Sequence, residues 1–451
     1  MSRTAALASG IFISLALALR IATESTTIVG YLMLAVYALL GRRQAIEALA
    51  LSWLFGMFNP GIAAEATAAS ALRYVVLLSA ATSVLVRSRA LRENLRAGRV
   101  TTMTLLLGLF FVVHAVLFSP VVDVSVLKAV SWTLAMATLI AAWTGLNEEG
   151  RAALADRIFG GLTLLMIVSL PLLTLPVGYL RNGTGFQGVL NHPQAFGPAM
   201  ALLGAWAAGR MLGERRPPWS LVLVVGACLV LVILSEARTA GFALVLAMAI
   251  AVVTVSRLSG RPMRAILPGL KSRRVAFIAA LAASGAIVSA AQLERVVTDF
   301  IAKSGRAEVG SALEAYERSR GGKMEEMWAN IQQKPFQGIG FGVASDPRDM
   351  DVPRDPVLGL PTSAPIEKGV LPLAVLEEVG LIGFLMVAAW VLILLRRSAQ
   401  GGIVPFAVAL TALLLNLGEA NLFSPGGMGL LSLVLIGWAF ASGYKLNRVP
   451  R

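Results

Sequence analysis

Residues 180–188 read "LRNGTGFQG" and place Gly183, Gly185 and Gly188 at the G-x-G-x-x-G spacing of a dinucleotide-binding loop. Glycine lets the backbone approach a phosphate closely, and the planar guanidinium of Arg181 suits diphosphate oxygens. A dinucleotide site would also need a preceding strand and an acidic residue about twenty positions further on, and this segment lacks both. We therefore interpret the loop as an anion-binding segment for another kind of phosphate.

Further cations lie where apolar segments meet short polar turns. The turn "SEART" holds Arg238, and Arg20, Arg73 and Lys128 lie near the ends of other apolar segments. A single such cation could simply reach towards lipid head groups. Ionisable groups close to a bilayer are costly, however, and tend to mark substrate paths. Together with Arg181, these residues predict an anion site.

A third segment, "QQKPFQGIGFG", has a second glycine series that includes Gly340, which we interpret as a turn of exposed backbone open to a ligand. Downstream, "APIEKG" places Glu367 just before an apolar segment. Desolvation there would suit its carboxylate to work as a general base. Asp349 and Asp351 form a D-x-D pair among prolines and arginines, which favours a solvated loop, so we predict no metal.

The composition indicates which elements position these residues. Of the 451 residues, 57% are hydrophobic and 14% are charged, whereas a soluble domain has about 25% charged residues. Apolar segments of up to about 20 residues recur along the chain, as in proteins that cross a membrane repeatedly. They lie near 5–20, 26–40, 45–58, 70–86, 102–119, 125–144, 158–178, 194–212, 219–234, 239–256, 275–291, 371–395, 402–419 and 428–443.

Basic residues follow the even-numbered segments. Examples are Arg42, Arg87, Arg151, Arg210, Arg257, Arg396 and Lys445. Because basic loops stay in the cytoplasm, both termini are expected there, and the net charge of +14 needs no nucleic acid. The predicted fold is an all-α polytopic membrane protein of about 12–14 transmembrane helices, with one large outward-facing loop that contains short helices. The predicted regions are a helical bundle at 1–291, the loop or cap at 292–370, and further helices at 371–451.

Four motifs in this order resemble the O-antigen ligase and O-antigen polymerase superfamily of bacterial envelope glycosyltransferases. They read "RNGTGFQGVLNHPQAFG", "SEARTAG", "MWANIQQKPFQGIGFG" and "LAVLEEVGLIG", and the resemblance covers about residues 158–395. It implies a GT-C-like, metal-independent enzyme without a cofactor in the bacterial inner membrane, with the long loop and the active site at the periplasmic face.

The resemblance also implies a reaction and its partners. Such enzymes take a glycan from undecaprenyl diphosphate and join it to an acceptor hydroxyl on a glycan or a lipid. Arg181 and Arg238 match the arginines expected to hold the diphosphate, and we assign Glu367 as the base. Candidate substrate-binding residues are Arg73, Lys128, His192, Arg320, Lys323 and Gly340. Membrane lipid and a chain-length regulator are further expected partners; nucleic acid is not.

Two departures from the family bear on the type of transferase. Its ligases carry a histidine about nine residues before the glutamate of E-x-G, where this chain has Gly369, and Lys323 stands where an arginine often precedes the loop tryptophan. We therefore favour a polymerase that joins lipid-linked repeat units. The alternatives are a ligase that transfers the finished glycan to lipid A core or another acceptor, and a transporter or flippase of the same lipid-linked glycan.

Overall fold

The structure, a computed structural model, describes residues 3–64, 69–87, 99–276, 312–354, 359, 361 and 368–444. Within these ranges the regular elements are helices, and strand-like pairing is limited to isolated bridges such as the one between Phe58 and Leu190. The prediction of an all-α protein is confirmed for the described part of the chain.

The α-helices are numbered in chain order. The first eight are α1 (Arg3–Ala22), α2 (Glu24–Ala38), α3 (Arg42–Gly56), α4 (Ala69–Ala81), α5 (Arg99–Phe118), α6 (Val122–Thr144), α7 (Glu148–Ser169) and α8 (Pro193–Gly213). The others are α9 (Trp219–Leu234), α10 (Arg238–Ser259), α11 (Met263–Ile266), α12 (Ala312–Gln333), α13 (Leu371–Gln400), α14 (Ile403–Leu414) and α15 (Gly429–Ser442). A π-helical turn, Thr82–Arg87, continues α4.

Several helices are long and apolar enough to cross a membrane. Five reach that length: Val100–Phe118, Val122–Thr144, Glu148–Thr174, Arg238–Ser259 and Leu371–Gln400. Five shorter apolar helices accompany them, among them Trp219–Leu234 and Gly429–Ser442. A helix coincides with each predicted apolar segment in the described ranges, whereas the segment at 275–291 falls almost wholly outside them. By helix length and hydropathy, the protein is a multi-pass membrane protein.

Basic side chains gather at one end of the bundle, which we call the arginine end. There Arg42, at the start of α3, donates to the carbonyl of Gly145 after α6 at 3.0 Å. Arg157 on α7 forms an ion pair with Glu47 on α3 at 3.1 Å. The predicted even-numbered connections that the structure describes therefore meet at a common end, as a helical bundle that alternates in direction requires.

The opposite end, which we call the glycine end, is where α2, α4, α6, α8, α10, α13 and α15 begin. Hydrogen bonds join its connections to one another: the Phe186 N–H donates to the carbonyl of Leu234 at 2.9 Å, and Gln194 Nε2 donates to Glu419 Oε1 at 2.9 Å. Arg20, Arg73, Lys128, Arg181 and Arg238 all lie at this end. The structure thus brings the predicted cation group to one end of the bundle.

The predicted long loop contains a longer helix than expected. In its described part, α12 is a single helix of 22 residues that packs on α13, where we expected short helices; the 3₁₀ turn Pro347–Asp349 is the short element. The helices after the loop join the same bundle as those before it, since α14 packs on α8 and α10, and α15 packs on α6. One hydrophobic core therefore joins the two predicted helical regions.

Candidate functional site at the glycine end

A break in α13 organises the site. Gly380 has φ +63°, which interrupts the helix within its first three turns. The freed backbone groups bond to the segment that follows α12: Ile339 N–H donates to the Glu377 carbonyl at 2.9 Å, and Leu381 N–H donates to the Pro335 carbonyl at 2.9 Å. Because buried backbone groups must be paired, this segment and the broken helix stabilise each other.

The glycines of "QGIGFG" allow this close contact between segments. A Cβ on Gly338 would lie 2.5 Å from the Glu378 carbonyl oxygen, and a Cβ on Gly340 would lie 2.7 Å from Ser119 Cα. Both glycines are buried, with φ +71° and +124°. The prediction of exposed backbone around Gly340 is therefore wrong, because the chain itself occupies the space next to these glycines, and the predicted contact of Gly340 with a ligand stays a prediction.

A buried ion cluster lies beside the break. Lys368 Nζ is 2.6 Å from Glu377 Oε2 and 3.4 Å from Glu378 Oε1, and the three side chains are 3%, 0% and 9% exposed. Asn330 on α12 donates to Glu377 Oε1 at 2.7 Å, and the Gly342 N–H donates to Glu378 Oε2 at 2.7 Å. Each carboxylate therefore has a partner on both oxygens, which identifies Glu377 and Glu378 as structural acceptors.

Lys128, a predicted diphosphate ligand, completes this cluster from α6. Its Nζ lies 5.5 Å from the centre of the Phe341 ring, and it interacts electrostatically with Glu378. The cluster thus holds two lysines and two glutamates. Lys128 thus has a carboxylate neighbour within the protein.

Three predicted site residues lie outside the part of the chain that can be described. Glu367 lies outside the described residues, although it directly precedes Lys368 in the chain. Arg320 and Lys323 fall within α12, but their side chains lie outside the described part.

The first glycine loop packs on the turn that carries Arg238. Gly183, Gly185 and Gly188 all have positive φ, at +76°, +61° and +55°. A Cβ on Gly185 would lie 2.9 Å from Pro193 Cγ and 3.4 Å from the carbonyl oxygen of Ser235. Since the Phe186 N–H also bonds to the end of α9, the loop bearing the exposed Arg181 and the turn bearing Arg238 are adjacent.

The "SEART" turn holds Arg238 in a strained backbone. Glu236 has φ +54°, the only positive value of a non-glycine residue in the described ranges, and the Arg238 N–H donates to its carbonyl at 3.0 Å. Ser235 Oγ accepts from the Ala237 N–H at 3.3 Å. Such strain often accompanies functional sites. Here it starts α10 with the partly buried Arg238.

His192 begins α8. It is the N-cap residue, and its Nδ1 accepts from the Gln194 N–H at 3.1 Å. Pro193 occupies the first helical position, where its missing N–H costs nothing. The structure therefore shows a capping function for His192, and its predicted contact with substrate stays a prediction.

Arg20 and Arg73 lie together beside the end of α3. Arg20 donates to the carbonyls of Phe55 at 2.9 Å and Ala64 at 2.8 Å, and its guanidinium lies 5.7 Å from the centre of the Phe58 ring. Nε of Arg73 is buried and has no hydrogen-bond partner among the described residues. Neither arginine has an acidic partner among the residues that the structure describes.

The connection between α14 and α15, residues 415–428, links these parts, and the sequence analysis missed it. A Cβ on Gly418 would overlap Thr239, next to Arg238, and a Cβ on Gly426 would lie 3.8 Å from the Arg73 guanidinium. Between them, the Phe423 ring packs 5.8 Å from that of Phe341. The acidic and glycine-rich string "NLGEANLFSPGG" between two apolar segments was the signal that could have identified it.

The side chains at this end offer cations and carboxylates. Within the described ranges, no group of three or more His, Cys, Asp or Glu side chains is placed to hold a metal ion. The chain matches no protein-family model, and a search of curated proteins finds no similar sequence.

Proposed function

We propose that the protein is an integral-membrane glycosyltransferase that polymerises lipid-linked polysaccharide repeat units. The glycan would move from an undecaprenyl-diphosphate carrier to an acceptor hydroxyl. One observation carries the proposal: an apolar bundle gathers its unusual cations at a single end, and two of them, Arg20 and Arg73, have no acidic partner within the described ranges. Ionisable groups close to or within a bilayer are costly and tend to mark the path of a charged substrate.

The chemistry assigned to these residues is a direct displacement at the anomeric carbon. The bond from the anomeric carbon to the diphosphate oxygen breaks, a bond to the acceptor oxygen forms, and the acceptor proton passes to the Glu367 carboxylate. The departing diphosphate gains negative charge. Arg181 and Arg238 would stabilise that charge, because donors aimed at a developing anion lower the barrier most.

The finer topology belongs to the same proposal. The chain would cross the bacterial inner membrane about 12–14 times, with both termini in the cytoplasm. The arginine end would face the cytoplasm, where basic loops are retained, and the glycine end with the long loop would face the periplasm. Carrier lipids, membrane lipid and a chain-length regulator would meet the protein at or near that face.

Turnover with a defined substrate tests the function. Purified protein in lipid nanodiscs is incubated with an undecaprenyl-diphosphate-linked repeat unit, and the products are separated by mass. We expect release of undecaprenyl diphosphate together with longer lipid-linked glycans. Transfer only to added lipid A core would identify a ligase instead. Movement of the glycolipid across a vesicle membrane without any release of the carrier would identify a transporter.

The Arg238→Ala variant should transfer glycan about 10- to 100-fold more slowly, since it loses charge-assisted hydrogen bonds to the diphosphate. The initial rate of undecaprenyl diphosphate release measures the effect. Arg210→Ala is the matched control, because Arg210 lies at the arginine end and pairs there with Asp156 and Glu214. Equal rates for Arg238→Ala and the unaltered protein would remove Arg238 from the mechanism.

Glu367→Gln should lower the same rate by about 100-fold, because an amide cannot accept the acceptor proton. Substrate binding should persist, since glutamine keeps the size of the side chain. Asp351→Asn, in the same loop, is the control and should leave the rate unchanged. A Glu367→Gln protein that works at full speed would show that another group takes the proton.

A further inference from the structure

Two donors without a partner among the described residues, the Tyr31 hydroxyl and Arg73 Nε, lie on the neighbouring helices α2 and α4, and Arg20 on α1 lies near them. The Tyr31 side chain is 0% exposed. Its hydroxyl lies within electrostatic range of both Arg73 and Arg20. A Cβ placed on Gly56 would lie 3.9 Å from the Tyr31 hydroxyl and 3.7 Å from an Arg73 guanidinium nitrogen, so both groups border the same small space.

The charge at this position is not balanced by the described side chains. Arg20 satisfies part of its guanidinium on two backbone carbonyls, which carry no net charge. Arg73 lies within electrostatic range of Tyr31 and Tyr74 and next to Gly56 and Gly426, and it forms no ion pair with a described residue. Buried charges are costly unless they are paired, and a buried hydroxyl without a partner is costly too. A bound anion would satisfy all three groups.

The position within the helices limits which anion can reach the site. Tyr31 lies seven residues after the first residue of α2, which is about 10 Å below the glycine end. Exposed apolar side chains cover the outer faces of the two helices that carry Tyr31 and Arg73. They are Val29, Leu32 and Val36 on α2, and Val75 and Leu78 on α4. A phosphate here could keep its hydrocarbon chain along that face.

We propose that Arg20, Tyr31 and Arg73 form a second lipid diphosphate site, which holds the carrier of the acceptor glycan. This assignment rests on the proposed function, because a polymerase uses two lipid-linked substrates and a ligase needs only one. A diphosphate esterified at both ends carries two negative charges, which matches the two guanidinium groups. The Tyr31 hydroxyl would donate a further hydrogen bond to it.

The site is distinct from the one assigned to the donor. Arg181 and Arg238 lie on the loop before α8 and at the start of α10, whereas Arg20 and Arg73 lie on α1 and α4. The connection 415–428 touches both, at Gly418 beside Thr239 and at Gly426 beside Arg73. The Phe423 ring of this connection packs 5.3 Å from the Phe111 ring and 5.0 Å from the Trp132 ring. Two carriers could therefore bind on either side of this connection.

Binding of undecaprenyl diphosphate tests the site without any need for turnover. Delipidated protein is titrated with this lipid, and native mass spectrometry counts the bound molecules. We expect two per chain, and one per chain for Arg73→Ala, whose second affinity should fall about 10- to 100-fold. Arg238→Ala should lose the other molecule. An unchanged second molecule in Arg73→Ala would overturn the proposal.

A tyrosine pair provides the sharper control. Tyr31→Phe removes a hydroxyl that has no partner in the described part of the chain, so it should weaken binding of the second molecule about 3- to 10-fold and leave the melting temperature unchanged. Tyr37, on the same helix, donates to Glu47 Oε2 at 2.5 Å. Tyr37→Phe should therefore lower the melting temperature and leave binding unchanged. If Tyr31→Phe lowered the melting temperature and left binding intact, its hydroxyl would be structural and the proposal would fail.

Two further arms exclude other sources of the anion. Phosphatidylglycerol is added as a competitor, and equal displacement of the second molecule would identify a phospholipid head-group site and overturn the proposal.

Glu65 lies outside the described residues, next to Ala64, so Glu65→Gln is included. A second molecule that binds more tightly to Glu65→Gln would make Glu65 the counter-ion and contradict the proposal. If the second molecule binds in an Arg73-dependent way but the protein transfers no glycan, the proposed function is refuted and the lipid diphosphate site stands. If the protein transfers glycan but shows no Arg73-dependent binding, the proposed function stands and the site is refuted.

Discussion

Replacing Lys368 by methionine should destabilise the protein by about 3–5 kcal/mol, because it leaves two buried carboxylates without their main counter-ion. Glu377 is 0% exposed, and besides Lys368 it keeps the amide of Asn330. Burying a charge that is poorly paired costs far more than the net gain from an intact pair. Thermal unfolding of Lys368→Met in nanodiscs, followed by intrinsic tryptophan fluorescence, measures the loss as a lower melting temperature.

Two comparisons make this prediction specific. The double variant Lys368→Met with Glu377→Gln removes one charge of each sign and should recover much of the lost stability. Arg354 forms an ion pair with Asp123 at 2.5 Å at the same end, but both side chains are more than 40% exposed. Arg354→Ala should therefore cost only about 0–1 kcal/mol. Equal melting temperatures for Lys368→Met and Arg354→Ala would mean that the cluster is solvated.

The Gly380→Ala substitution is expected to cost about 2–5 kcal/mol, by combining backbone strain with a collision. The residue has φ +63° and ψ −173°, a combination that few residues other than glycine adopt, and a Cβ there would overlap the carbonyl of Phe336. Because Phe336 belongs to the segment that pairs with the helix break, the collision would push the second glycine series away from α13. The melting temperature and the rate of carrier release should fall together.

Gly260 is a control without a collision and with milder backbone strain. It ends α10 with φ +68° and ψ +17°, in the left-handed region, whereas Gly380 has ψ −173°, and a Cβ on Gly260 would meet no atom within 4 Å. Gly260→Ala should therefore cost only the left-handed strain, about 1–2 kcal/mol. It should leave the rate of carrier release unchanged, since Gly260 lies at the arginine end. Equal costs for the two substitutions would show that neither the collision nor the backbone conformation at Gly380 adds to the left-handed strain, which would contradict this prediction.

Lys368→Met and Gly380→Ala both disrupt one set of contacts at the glycine end. The break at Gly380 exposes backbone groups that residues 335–340 satisfy, and the Lys368 cluster joins α12, α13 and α6 around them. Glu367, the assigned base, is attached directly to Lys368 in the chain. In the proposed mechanism, the base directly precedes this cluster in the chain, while Arg181 and Arg238 act on the leaving group.

The sequence predicts the helices well, because the hydropathy pattern that indicates a helix lies within the segment itself. The segment at 219–234 coincides with α9, and the segment at 239–256 lies within α10. Apolar length and flanking arginines depend only on neighbouring residues, so they can be recognised without knowing the contacts. The same local signals predict that Arg42 and Arg157 share one end, which the structure confirms.

Contacts between distant residues could not be predicted in this way. The glycines at 338–342 look like an open turn in the sequence, yet α13 and Ser119 fill the space beside them. Lys368 and Glu377 are nine residues apart, but nothing in the sequence indicates that Asn330 completes their cluster. Such partners are set by how the helices pack, which the composition of a short segment does not record.

By itself, the sequence determined that the chain is a multi-pass helical membrane protein and that its unusual cations lie at one end. Hydropathy and charge decide this because the bilayer acts on each segment separately. Only the tertiary structure decided which of those cations already has a partner. Lys128 lies within electrostatic range of Glu378, whereas Arg73 and the Tyr31 hydroxyl share a space with no described counter-ion. That difference depends on where α2, α4 and α6 meet their neighbours, and packing alone sets it.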